Sequence, residues 1–110
     1  MDPSDAKFHV EGVLLRVKMG FQKVVESTDD ALTLRIFCPR LFNDLDAPKL
    51  LELRNELAGI EARWTVEAER FSAGEGVRLP VELMEVLYSR GRTLSRDIWT
   101  LLMLGGGMLA

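Results

Sequence analysis

Few side chains in this 110-residue chain are of the types that do chemistry, and their spacing is poor for it. His9 is the single histidine, so a His-centred metal site or a Ser-His-Asp triad would have to be assembled around one residue near the start of the sequence. Cys38 is the single cysteine, which excludes an internal disulfide and a cysteine-based zinc site. Flanked by large apolar residues in IFCPRLF, it reads as a small buried hydrophobe with an unactivated thiol. Asp29 with Asp30, and Asp44 with Asp46, fall at expected helix starts, where negative charge offsets the backbone dipole. The run Gly105 to Gly107 follows an apolar stretch without a Lys or Ser partner, so it reads as a helix stop and not a phosphate loop. No catalytic residue, no metal and no cofactor is expected, and the chain does not read as an enzyme.

The elements that would position these residues are read from periodicity and from three breaks: STDD at Ser27 to Asp30, DAP at Asp46 to Pro48, and SAGEG at Ser72 to Gly76. Between the second and third, Leu50, Leu53, Leu57, Ile60, Trp64 and Phe71 recur at steps of three and four. That spacing predicts a long amphipathic helix from about Ala47 to Phe71. Asp46 is its expected N-cap, Pro48 sits in its first turn and Gly74 and Gly76 follow its end. Glu52, Glu56, Glu61, Arg63, Glu67, Glu69 and Arg70 intersperse both signs on its expected solvated face.

The first block is ambiguous. Val10, Val13, Leu14, Val17, Phe21, Val24 and Val25 fit a helical face opened by Ser4 or by Asp2 and Pro3, while Val13, Leu15, Val17 and Met19 alternate as a strand would. In the second block Leu34, Cys38, Leu41 and Leu45 make a helical stripe, and Leu32, Leu34 and Ile36 an alternating one. STDD before an apolar run predicts a new helix start, with Thr28 or Asp29 as cap and Pro39 as a kink or stop. The alternative is an N-terminal β-hairpin packed on helices. In the last block Pro80 opens a helix carrying Leu83, Val86 and Leu87. Gly91 ends it, and Thr93 or Ser95 caps a final helix presenting Leu94, Ile98, Leu101 and Leu102.

The aromatic residues Phe8, Phe21, Phe37, Phe42, Trp64, Phe71 and Tyr88 read mostly as core. Trp99 differs, because with Met103 and Leu104 it extends apolar surface sideways from the inward face of the last helix. A partner interface or homodimer is therefore expected at Trp99, Leu102, Met103 and Met108, with Leu109 beside it.

Two resemblances bear on function. The stretch VRLPVEL followed by GRTLSRDI resembles the ribbon-helix-helix family of transcriptional regulators through Val77, Arg78, Leu79, Pro80, Leu83, Leu87, Gly91, Thr93, Ser95 and Ile98. The resemblance covers about a quarter of the chain. It implies a dimer whose paired strands read the major groove, with Arg78 contacting bases and the Thr93 to Ser95 helix start contacting phosphate. The interval from Leu87 to Gly91 is one turn shorter than the family pattern, and Arg78 is the one outward polar side chain of the short strand. The Cys38-Pro39 pair resembles the haem-regulatory dipeptide, whose thiolate ligates iron.

Composition sets the bounds. Apolar residues make up 47% and charged residues 28% of the chain, a balance that supports one packed domain over residues 1–110, with 105–110 as a C-terminal tail. The net charge of -3 offers no global attraction for nucleic acid. The acidic start lacks the pattern of a signal peptide, and no apolar run is long enough to cross a membrane, so a cytoplasmic protein is expected. The fold expected first is an all-α bundle of four to five helices around the long central one. The function expected first is a protein-protein interaction domain, an adaptor, assembly or chaperone-like subunit. The alternative is a DNA-binding regulator using residues 77–98.

Overall fold

A computed structural model describes residues 3–74 and 78–105. Among them the chain forms three long helices and no strand: α1, Pro3–Phe37; α2, Ala47–Ala73; and α3, Val81–Gly105. A single 3₁₀ turn, Pro39–Leu41, lies between α1 and α2. The all-α expectation holds, whereas the count of four to five helices and the β-hairpin alternative do not.

Two expected breaks are absent, for the same reason. In α1 the buried positions Leu14, Phe21, Val24, Thr28 and Ala31 form one stripe that runs straight through STDD. Thr28 satisfies its own hydroxyl by donating to the Val24 carbonyl oxygen at 2.9 Å, as a threonine within a helix can. Asp29 is occupied by Arg54 of α2, whose Nε and Nη2 donate to its two carboxylate oxygens at 2.9 and 3.0 Å. Neither residue is left to act as an N-cap. In α3 the stripe Met84, Leu87, Leu94, Ile98 and Leu102 likewise passes through Gly91, which does not end a helix. The hydroxyl of Ser95 donates back to the Gly91 carbonyl at 2.8 Å. Thr93 and Ser95 therefore cap nothing, and Pro80 precedes α3, its carbonyl accepting the first intrahelical bond from the Met84 amide at 2.9 Å.

The real helix ends follow local rules. Pro39 disfavours helical backbone at Cys38, and Cys38 takes φ −133° and ψ 67° there. Asp46 caps α2 by accepting from the Lys49 amide at 3.1 Å, and Gly74 follows its last turn. Residues 75–77, which include part of the expected linker and strand, and 106–110, the greater part of the expected tail, lie outside the described residues. Gly105 itself belongs to α3.

Helix α2 runs antiparallel to the other two, and α1 and α3 run parallel. Leu14 of α1 packs with Trp64 of α2 and with Met84 and Leu87 of α3 at one end. Ala31, Leu50 and Leu53, and Ile98 and Leu102, meet at the other. Leu50, Leu57, Leu94 and Ile98 are wholly buried, each worth about 1.5–3 kcal/mol. The Trp64 indole N–H donates to the Leu14 carbonyl at 2.9 Å, so its large apolar body is buried without an unpaired donor. Arg54 with Asp29, and Arg90 with Glu56 at 2.6 Å, tie the outer helices to α2.

Burial departs from expectation at three places. Cys38 is exposed; it lies just beyond the end of α1, where the core has ended. Leu34 and Leu41 of the same expected stripe are also exposed, as are Phe8, Phe37 and Tyr88 among the expected core aromatics. Glu67, expected on the solvated face of α2, is buried at 7% exposure, held between Arg63 and Arg70 at 3.8 and 3.6 Å.

Candidate functional site

Gly91 sets the depth at which α1 and α3 meet. A Cβ there would lie 2.7 and 2.8 Å from Cε1 and Cε2 of Phe21, closer than atoms approach. Only a glycine lets the ring seat directly on the α3 backbone, and the ring turns its edge to Trp64, centroids 6.2 Å apart at 81°. This contact fixes the relative height of the two parallel helices. Equal steps along each helix from Phe21 and Gly91 reach Leu34 and Leu104, so the C-terminal turns of α1 and α3 finish side by side.

That shared end is apolar and exposed. Ile36 and Phe37 are each 76% exposed and Leu104 is 77% exposed, with Leu34, Leu41, Trp99 and Met103 exposed as well. Of the residues the sequence assigns to an interface, Trp99 and Met103 therefore stand on the surface. Leu102 does not: it belongs to the core with Ile98 and Leu94, because it falls on the buried stripe one step from Trp99's side of the helix. Met108 lies outside the described residues. Ile36 and Phe37 escape sequence reading because their helix was expected to be kinked and its aromatics packed.

Below this end, the seam between α1 and α3 opens into a groove of about 490 Å³. Val13, Val17, Phe21 and Val24 supply its α1 side and Tyr88 and Ser95 its α3 side, with Arg16, Arg92 and Arg96 along the rim. The α3 residues belong to one flank: Tyr88, Arg92, Arg96, Trp99 and Met103 recur at three- and four-residue steps, with Ser95 between Arg92 and Trp99 on the same side. Arg92 lies over the Tyr88 ring at 5.7 Å and donates to its hydroxyl at 3.3 Å, which holds the guanidinium at the lip. Among the described residues no carboxylate lines the groove; Asp97 approaches Arg96 at 3.7 Å from outside it. Gly20 faces the groove with nothing within 4 Å of where a Cβ would be. An exposed glycine inside a helix costs about 0.5–1 kcal/mol relative to Ala, and here, unlike at Gly91, no neighbour among the described residues requires it. Sequence reading missed this flank because it divided α3 at Gly91.

A second groove, about 620 Å³, lies on the outer side of the α1–α2 pair between Phe8, Gly12 and Leu15 and the facing Ala68 and Ala73. Its rim is mixed in charge, with Glu11, Lys18 and Glu69. Nearby, Lys7 lies over the Phe71 ring at 5.6 Å.

The residues carried by the ribbon-helix-helix resemblance do not form that module's turn. Thr93 and Ser95 lie within α3, so the free amides of a helix start are not available there. Arg78 is exposed ahead of α3 beside Pro80 and Leu83 and near Arg63, Glu67 and Arg70. His9 in α1 and Cys38 just beyond its end are exposed and 29 residues apart, and the described residues hold no group of three or more His, Cys, Asp or Glu that could bind a metal. Among the described residues no helix is long and apolar enough to cross a membrane. Compared with family models, curated proteins and solved structures, the chain matches none. Its own surface is the ground for a functional reading.

Proposed function

We propose that this chain is a non-catalytic protein-interaction domain, an adaptor or assembly subunit, that associates through the apolar end formed by α1 and α3. The observation that carries the reading is the exposure of Trp99, Met103 and Leu104 beside Leu34, Ile36 and Phe37. Scattered surface hydrophobes are ordinary, whereas several large ones at one end of a small domain mark a contact surface. Trp and Phe are also side chains that dominate interface energetics. A second copy of the chain is the first partner this end supports, since two such ends meeting would cover each other.

Light scattering coupled to size exclusion tests the reading with wild type, Trp99→Asp and Phe37→Asp. Both positions are exposed, so the thermal midpoint should hold while association of the wild type is lost. Equal mass and equal partner binding for all three proteins would remove the apolar end as an interface.

A further inference from the structure

We propose that the groove between α1 and α3 seats an acidic amphipathic helix from a protein partner. It rests on the reading of the chain as an interaction domain but concerns a different surface and adds the partner's chemistry. The groove is bounded by two parallel helices, and from Val13 to Val24 it extends about 17 Å, three turns of an occupant helix. A helix laid along such a seam completes a four-helix arrangement, the ordinary way that paired helices cover an apolar cleft.

Three features select this occupant. The floor is apolar, with Val13, Val17, Val24 and the Tyr88 ring, and it fits the apolar stripe of an amphipathic helix. Arg16, Arg92 and Arg96 line the groove with no carboxylate among the described lining residues, in a chain whose net charge is -3. This local positive rim selects Glu and Asp on the partner's flanks and repels a basic helix. At Gly20 the groove floor is bare backbone with open space above it, which lets a partner helix approach more closely than any side chain would permit. The groove at Phe8 and Leu15, though larger, lacks this selectivity because its rim carries both signs.

The test uses the full chain and a fluorescein-labelled peptide of about five helical turns with Leu on one face and Glu on both flanks, followed by anisotropy at low salt. The expected result is saturable binding, with at least about a tenfold loss when Glu is replaced by Lys. Arg92→Glu with Arg96→Glu should cause a similar loss and restore binding of the Lys peptide. Gly20→Leu, which fills the groove without changing charge, should also abolish binding while the melting curve keeps its cooperativity. Equal binding of a Gln-flanked peptide would overturn the charge selectivity while leaving the apolar end, read separately through Trp99→Asp, untouched. Binding unchanged by both the arginine reversals and Gly20→Leu would overturn the groove. So would tighter, arginine-dependent binding of a duplex DNA or of anionic vesicles than of the Glu peptide. Self-association that the arginine reversals abolish would assign the groove to a second copy and overturn an acidic partner helix.

Discussion

At the scale of single residues, two glycines in the same bundle carry opposite expectations. Gly91 lies under the Phe21 ring, where an added methyl would meet three ring carbons. Gly91→Ala should therefore destabilise the protein by about 1–3 kcal/mol through overpacking, even though alanine favours the helix by about 1 kcal/mol. Gly59 is exposed on α2 with nothing within 4 Å of its missing Cβ. There the propensity acts unopposed, and Gly59→Ala should stabilise by about 0.5–1 kcal/mol. Urea denaturation of the two variants against wild type checks both signs; a stabilising Gly91→Ala would mean that α1 and α3 do not meet at Phe21. Charged residues offer smaller effects. The Asp29 carboxylate, by hydrogen bonding and then by charge, holds the Arg54 guanidinium above its ordinary value, against some desolvation. Asp29 remains half exposed, so Asp29→Ala should cost about 0.5–1 kcal/mol, at the upper end for a surface pair because its geometry is bidentate. The same denaturation series measures it.

At the scale of elements, continuity of α1 through Ser27 to Asp30 is the feature most open to a direct challenge. Asp30 is exposed and follows the buried Thr28 and the ion-paired Asp29. Asp30→Pro would remove an amide hydrogen bond and clash with the preceding turn, at a cost of about 3 kcal/mol or more. The same change in an exposed loop would stay within about 0.5 kcal/mol. Circular dichroism with denaturation distinguishes the two outcomes. This element also shows what was legible in the sequence. Helix α2 could be read nearly to its ends, because its apolar period, its Asp46 cap and Gly74 all point to one answer. In α1 and α3 the period Val24, Thr28, Ala31 and the period Leu87, Gly91, Leu94 were present, but residue types that usually break helices obscured them. A threonine can close its hydroxyl on its own helix, an aspartate can be taken by a distant arginine, and a glycine can be required by a ring on another helix. The first of these is local and the other two are tertiary, and it was the glycine that hid the Tyr88 to Met103 flank that borders the groove.

At the scale of the molecule, shape explains why so much apolar surface remains. The radius of gyration is 17.0 Å, against about 13 Å for a compact domain of this length, and the extents are 55 × 20 × 18 Å. A rod one bundle thick buries side chains only along its axis, in one cluster with Leu50, Leu57, Leu94 and Ile98 and another with Leu14, Trp64, Met84 and Leu87. With 47% apolar residues, the remainder stands outside, along the rod at Val13, Leu15, Met19, Val66 and Val86 as well as at the shared end of α1 and α3. The two proposed surfaces then differ in their response to solution conditions. Contact through Trp99, Phe37 and Ile36 removes apolar area from water, so it should strengthen in sulfate and change little with sodium chloride. Docking at Arg16, Arg92 and Arg96 should weaken as ionic strength rises from low to physiological, because these charges are solvent-exposed and screened over about 8–10 Å. Sedimentation of the wild type across both salts, run beside peptide anisotropy in the same buffers, separates them. Association that falls with sodium chloride in parallel with peptide binding would mean that one charged surface, and not an apolar end, accounts for both.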